Sequence, residues 1–351
     1  MTMRPVLVGD PAPLFVQHCT TQWGRYSFDM AAGRYSILLF VPSLHNPAAR
    51  RAYDHVRRGM DTLDTAQSHV FIVSADEKDH AAHTPDADMP GLLFLWDADL
   101  LVHNLYGVAA KSCCWVVVDP MMRIALVAEN GPQAARRVLE WTRAQPPHQD
   151  GPIPALLLPN VLEPEFCNAL IHYYQTQETH LSAVLTQGRD GSPLNVTDLS
   201  FKRRRDCTLR DAYLVQQLQA RIIRRVVPEI TKSFQCTVTQ MDRMIISCYD
   251  GADRGCFGPH RDNTVAGAAH RLFAISINLN DAFEGGDLIF PEFSARGFRP
   301  PAGGAVIFSC ALLHAVRPVT AGRRYACLPF AFNAESLARA RQAHAQAADT
   351  K

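Results

Sequence analysis

The stretch Tyr249-Asp250-Gly251-Ala252-Asp253-Arg254-Gly255-Cys256-Phe257-Gly258-Pro259-His260-Arg261-Asp262-Asn263 decides how the chain is read. A glycine-containing loop leads into a His-x-Asp pair, His260 and Asp262. On an extended strand, residues two apart point to the same side, so this imidazole and carboxylate can enter one cavity. His314 follows 52 residues after Asp262, and Arg324 stands ten residues beyond it. Two neutral imidazoles and one carboxylate fill half of an octahedral cation's positions and leave half open, a ligand set that suits Fe(II). A lone His-x-Asp is more often ordinary strand polarity, so the surrounding pattern must carry the reading.

From Gln240 onward, short apolar runs alternate with turns, at 243–249, 272–279, 287–290, 304–308, 315–319 and 326–330. Their spacing of roughly ten residues predicts an all-β sandwich or jelly roll. Upstream, 155–162 reads as a strand and turn, and 163–174 as a helix with Pro164 and acidic residues in its first turn. A further helix is expected over 211–234, where Leu214, Leu218, Ile222, Val226 and Ile230 lie four apart and Pro228 offers a break. The alanine-, arginine- and glutamine-rich tail, 336–351, reads as a short fraying helix.

The first part has a different texture. Apolar strands are expected at 36–41, 69–74, 92–96, 115–119 and 123–127, with helices over 47–64 and 133–144. Fully apolar strands alternating with helices predict an α/β layer around a buried sheet. The polar, proline-rich segment 146–154 is the natural boundary. The organisation expected is therefore a 1–145 α/β domain, a 146–154 linker, a 155–335 β domain and a 336–351 tail.

Composition bounds the function. A net charge of +1 supplies no global attraction to nucleic acid or a membrane surface. No run reaches the length of about 18 apolar residues that a membrane span needs, and the first ten residues lack the apolar core of a signal peptide. Ten cysteines without paired C-x-x-C spacing read as reduced thiols, hence a cytoplasmic protein.

The second part resembles the Fe(II)/2-oxoglutarate-dependent dioxygenases of the prolyl 4-hydroxylase-like group. The matching elements come in the family's order: Tyr249 and the loop into Pro259-His260-Arg261-Asp262, then Phe283-Glu284-Gly285-Gly286-Asp287-Leu288-Ile289-Phe290-Pro291, then Pro301 to Phe308, then His314 to Tyr325. The resemblance implies a double-stranded β-helix (jelly roll) with flanking helices. It implies His260, Asp262 and His314 as Fe(II) ligands, with 2-oxoglutarate chelating the metal and O2 taking the remaining position. Arg324 would hold the distal carboxylate of 2-oxoglutarate with its planar fork of donors. An Ala321-Gly322 turn would bring it toward the metal. Tyr249 would add a phenolic hydrogen bond, and Thr320 is a weaker candidate for the same carboxylate. Related halogenases replace the carboxylate ligand with a small residue, so Asp262 favours hydroxylation, with decarboxylation of 2-oxoglutarate to succinate. Ascorbate is a candidate reductant. Prolyl or other peptide side chains and small molecules are all open as substrates.

Residues 6–145 resemble the thioredoxin-like fold of peroxiredoxins, through Val8-Gly9-Asp10-Pro11-Ala12-Pro13, Leu38-Leu39-Phe40-Val41-Pro42 and Tyr106-Gly107-Val108. The departure is sharp. Where that family places its peroxidatic cysteine, at a helix N-terminus that lowers its pKa, this chain has Ala49. The domain is therefore expected to lack peroxidase chemistry. Cys113 and Cys114 are either a displaced redox pair or small apolar residues beside a strand. Two rival readings follow: a thiol-dependent redox protein, or a binding module whose first domain docks a partner or forms a homodimer. Within the β domain, His270 and Arg271 are expected to serve local structure, and Gly285-Gly286 a turn or close backbone approach. Arg261 and Asn263 should point away from the metal toward the rim. The run Lys202-Arg203-Arg204-Arg205-Asp206 reads first as a solvated charged face and second as a grip for an anionic substrate.

Overall fold

A computed structural model describes residues 4–20, 24–82, 89–148, 150–187 and 193–349. Of the segments discussed above, residues 1–3, Gln149 and 350–351 lie outside the described residues. The chain divides into two compact units, residues 1–152 with 291–295, and 153–290 with 296–351. The change of unit at 152/153 falls inside the proline-rich segment.

The first unit is built on a seven-stranded sheet in the order Arg25–Ser27, Val16–Cys19, Leu92–Trp96, Ser68–Ser74, Tyr35–Val41, Cys114–Val118, Ile124–Glu129. Tyr35–Val41, Ser68–Ser74 and Leu92–Trp96 pair in parallel, and the last two strands form an antiparallel hairpin. The central strands are buried along almost their whole length, which is why they read as unbroken apolar runs. Ile37, Leu39, Val70, Ile72, Phe94 and Trp115 pack against Tyr53 and Val56 of the helix Pro47–Gly59 and against Val138 and Leu139 of the helix Ala134–Arg143. The two short strands at one end of the sheet, Val16–Cys19 and the edge strand Arg25–Ser27, were not legible in the sequence. Val16–Cys19 buries only alternate residues and owes its extended form to pairing with Leu92–Trp96.

Ala49 is the third residue of Pro47–Gly59 and is fully buried. The helix start around it has no free donors to offer an anion. Asn46 Oδ1 already accepts from the amides of Ala48 (2.9 Å) and Ala49 (3.2 Å). The buried carboxylate of Asp79 accepts from the Leu44 amide (2.7 Å) and from Ser74 Oγ (2.5 Å). The place that would stabilise a thiolate is thus filled by an internal cap and a buried acidic side chain. Burial pushes the Cys113 thiol up to about 11. Burial, with Cys113 and Glu129 nearby, pushes Cys114 up to about 12. Neither is poised as a nucleophile.

The second unit has two main antiparallel sheets, a separate two-stranded pair, Val184–Gln187 with Pro193–Val196, and helices covering the larger sheet. The path of the larger sheet is Gln240–Asp242, Phe330–Phe332, Phe273–Asn278, Val319–Cys327, Ile245–Asp250, Arg205–Thr208, His180–Leu181, with Ala305–Ser309 and Ala155–Leu158 added beside Phe273–Asn278. The smaller sheet sets Lys202–Arg203, Cys256–His260, His314–Val316 and Leu288–Phe290 side by side. Strand alternation divides the larger sheet into two chemically distinct faces. Phe273, Ile275, Ile277, Ile246, Cys248, Cys207 and Cys327 join Leu170, Leu218, Ile222 and Ile230 of the covering helices in one apolar core. Ala274, Ser276, Tyr249 and Arg324 line a cavity.

Three local expectations are corrected. The 211–234 segment forms two helices, Ala212–Arg225 and Val227–Phe234, because Pro228 lacks the N–H a continuous helix needs and instead suits a first turn. No turn interrupts Ala321-Gly322. Val319–Cys327 is a single nine-residue strand, and Gly322 (φ 70°) is absorbed within it, opposite Phe283. The tail helix starts earlier, at Ala334, where Asn333 Oδ1 accepts from the Ser336 amide.

The thiols provide a test. At pH 8 only about a thousandth of a thiol with a pKa near 11 is thiolate. Iodoacetamide should therefore alkylate Cys113 and Cys114 in the native protein at least ~100-fold more slowly than free cysteine, with the rate climbing as pH rises toward 11. Labelling at the free-cysteine rate would contradict this account.

Candidate metal and cosubstrate site

Strand pairing brings the two histidines together. Cys256–His260 and His314–Val316 are antiparallel neighbours, and His260 stands opposite His314, with their rings 4.2 Å apart between centroids. The register shifts between Phe257 and His260, a bulge that re-aims the histidine. Asp262 is not on that strand, contrary to the alternation argument. It lies two residues past the strand's end, in a turn, and its amide donates to the Cys310 carbonyl at 2.9 Å. That bond holds the carboxylate where strand geometry alone would not.

Asp262 Oδ1 is 3.5 Å from His260 Nε2, and Oδ2 is 3.3 Å from His314 Nε2. One ligand atom from each residue falls within 4.8 Å of the others. Each imidazole has its Nδ1 against a backbone carbonyl, His260 on Gly258 (2.9 Å) and His314 on Leu312 (3.0 Å). A carbonyl can only accept, so Nδ1 carries the proton and both Nε2 lone pairs face Asp262. Burial, with His260 nearby, lowers His314 to about 4, which keeps it neutral and able to ligate. Burial opposes ionisation of Asp262, but the cationic surroundings, Arg243 among them, hold its carboxyl well below the usual range. Two oriented imidazole nitrogens and one carboxylate are what a facial Fe(II) site requires.

A buried arginine lines the same cavity, which measures ≈ 430 Å³ including its solvent-open mouth. Arg324 is 2% exposed. Its Nε donates to Asn278 Oδ1 (3.0 Å) and Nη2 to Ser276 Oγ (3.2 Å), while Nη1 is buried with no partner among the described residues. An orphaned guanidinium donor beside a metal triad fits a carboxylate such as that of 2-oxoglutarate. Gly286 (φ 67°) makes room for it, since a Cβ there would sit 2.9 Å from Val319 Cγ2 and 3.2 Å from Arg324 Cδ. Tyr249 pairs directly across from Arg324, and its hydroxyl accepts from Arg204 Nη1 at 2.9 Å, which leaves the phenolic hydrogen free to donate. Thr320, in contrast, is exposed and does not line the cavity.

The arginine run is the main correction. Lys202 and Arg204 are buried at 5% and 4% exposure, while Arg205 is exposed. Alternation sends every second residue inward, so a charge run on a strand is not one solvated face. Arg204 Nε lies 2.9 Å from Asp206 Oδ1, its Nη2 lies 3.1 Å from Oδ2, and its guanidinium faces the rings of Tyr249 and Phe257. Ser182 and Ser247 also donate to Asp206, at 2.5 and 2.6 Å. Burial, with Arg204 and Arg243 nearby, lowers Lys202 to about 6 and leaves it largely uncharged at neutral pH. His270 and Arg271 serve local structure as expected, at 3.5 and 3.1 Å from Asp242 Oδ2. The Arg261 guanidinium donates to the Ala311 carbonyl, and neither Arg261 nor Asn263 lines the cavity. Sequence reading missed Ser276, Asn278, Asp206 and Arg243. Ser276 and Asn278 had a signal, as two polar residues at period two on an otherwise apolar strand.

No protein-family profile matches the chain. A curated PKHD-type hydroxylase of Polaromonas sp. (strain JS666 / ATCC BAA-500) is 35% identical over 103 residues, covering 27% of this chain and 44% of that protein. The chain spans less than half the length of the curated relatives it matches. Among solved structures, a prolyl hydroxylase from Trichoplax adhaerens in complex with a hypoxia inducible factor peptide fragment is 18% identical, with a TM-score of 0.43, covering 52% of this chain and 86% of that one. A peroxiredoxin-like protein from Aquifex aeolicus is 17% identical, with a TM-score of 0.35, covering 40% of this chain and 89% of that one.

Breaking the Arg204–Asp206 pair leaves a buried guanidinium uncompensated. Asp206→Ala should therefore cost about 3–5 kcal/mol of unfolding free energy, measured by denaturant titration. A loss under about 1 kcal/mol would show that the pair behaves as a surface pair.

Proposed function

We propose that this chain is an Fe(II)- and 2-oxoglutarate-dependent hydroxylase. The observation that carries the reading is the convergence of the His260/Asp262/His314 triad and the unpartnered Nη1 of Arg324 on one cavity. The similarity to proteins named PKHD-type hydroxylases supports it. Bound iron and 2-oxoglutarate supply the oxidising chemistry: R–H, O2 and 2-oxoglutarate become R–OH, succinate and CO2.

The chain's own residues hold and orient. The two Nε2 lone pairs and the Asp262 carboxylate take the metal, and the carbonyls of Gly258 and Leu312 fix both rings. Arg324 takes the distal carboxylate of the cosubstrate, steadied by Asn278 and Ser276. Tyr249 donates to the same carboxylate, polarised by Arg204. Leu288, Phe308 and Val316 wall the cavity with apolar surface and limit water at the reacting centre. The retained Asp262 assigns hydroxylation over halogenation, because no ligand position is vacated for a halide. Ascorbate would act as a reductant that keeps the iron ferrous.

The substrate is a small molecule or a peptide side chain. We place the reaction in the cytoplasm, on the strength of ten free cysteines. No described helix is long and apolar enough to cross a membrane. The first unit contributes no thiol chemistry in this reading and is left for docking, dimerisation or stability. The thiol-redox alternative loses ground to the raised pKa of both Cys113 and Cys114.

With Fe(II), ascorbate and 2-oxoglutarate, the full chain should release succinate even without a second substrate. His260→Ala should lower that turnover by at least ~100-fold. Arg324→Gln should raise the KM for 2-oxoglutarate by about 10- to 100-fold. Wild-type protein that releases no succinate, or a His260→Ala variant as active as wild type, would sink the assignment.

A further inference from the structure

A third arginine lines the cavity, and neither the metal nor the cosubstrate accounts for it. Arg243 sits between the strands Gln240–Asp242 and Ile245–Asp250, with φ 59°. That left-handed conformation is uncommon and strained for a residue with a long side chain. It breaks the extended run at the point where the side chain reaches the cavity.

The charges around Arg243 do not balance. Its guanidinium forms no hydrogen bond among the described residues; it approaches Asp206 Oδ2 at 3.6 Å and lies over the Phe330 ring at 5.5 Å. Both oxygens of Asp206 already face Arg204 and accept from Ser182 and Ser247. Asp262, the other carboxylate in the cavity, belongs to the metal triad. Arg324 is assigned to the cosubstrate. Two arginines therefore share one saturated carboxylate, and the one that remains partly exposed, with 26% of its side chain accessible, keeps its donors unused.

We infer that Arg243 receives a carboxylate of the molecule being hydroxylated, so that the substrate is a free acid and not a neutral peptide segment. Arg204 backs it with a second positive charge, and the planar fork suits two parallel hydrogen bonds. The pairing would also orient the acid, leaving its C–H bonds to face the triad. This rests on the hydroxylase reading above, whose substrate class it names.

The test uses the full chain with Fe(II), and N-acetyl derivatives of proline, leucine, lysine and aspartate, each as free acid and as N-methylamide. At least one acid should stimulate 2-oxoglutarate turnover with a KM ten or more times lower than its amide. Arg243→Gln should raise the KM of that acid at least tenfold and erase the preference over the amide, and Arg243→Lys should restore part of it. Equal responses to acid and amide, or no response to any acid, overturn the inference. So does an Arg243→Gln variant whose KM rises for 2-oxoglutarate and not for the acid. Absence of succinate release by the wild type on its own removes the hydroxylase reading first, and the inference with it.

Discussion

A buried guanidinium needs partners for its donors, and that requirement organises the second unit. Removing a cation from water costs several kcal/mol unless hydrogen bonds and opposite charge compensate. Arg204 is compensated internally, by Asp206, Ser182 and the hydroxyl of Tyr249. Arg324 is compensated only in part, by Asn278 and Ser276, with Nη1 left over. The difference is why Arg204 reads as structural and Arg324 as the candidate to receive a ligand. Gly286 and the polar residues at period two on Phe273–Asn278 both accommodate that one side chain, whereas Gly285 makes room for the Pro318 carbonyl.

The metal triad depends on a different constraint. His260 and His314 are opposite one another because two short strands pair, so their placement is as rigid as the ladder. Asp262 is held by a single backbone bond to Cys310, beyond the strand end. The first unit shows the complementary case. It keeps the buried parallel sheet, but its helix start at Ala49 is internally capped by Asn46 and faces the buried Asp79 network. The core of this unit and the chemistry at its helix start are thus set by different residues.

Much of the architecture was legible because periodicity reports burial. Unbroken apolar runs located the parallel strands, and short strands between turns located the β domain. The triad, Arg324 and Tyr249 were legible from motif order. What escaped had physical reasons. The strands Val16–Cys19 and Arg25–Ser27 exist through pairing and not through propensity. Thr320 has a suitable hydroxyl but stands exposed. Lys202 to Arg205 looked uniformly charged, and only alternation along a paired strand sorts it into inward and outward members.

By itself the sequence determined which residue types recur with which period, and so an α/β part followed by a β part; motif order pointed to His260, Asp262 and His314 as a candidate triad. The tertiary structure decided which polar side chains share one cavity. Periodicity tells which residues face the same way along a strand, but what they face is set by the strand or loop packed opposite, often dozens of residues away. That is why Asp206, Ser276, Asn278 and Arg243 became part of the site only once the sheets were assembled around it.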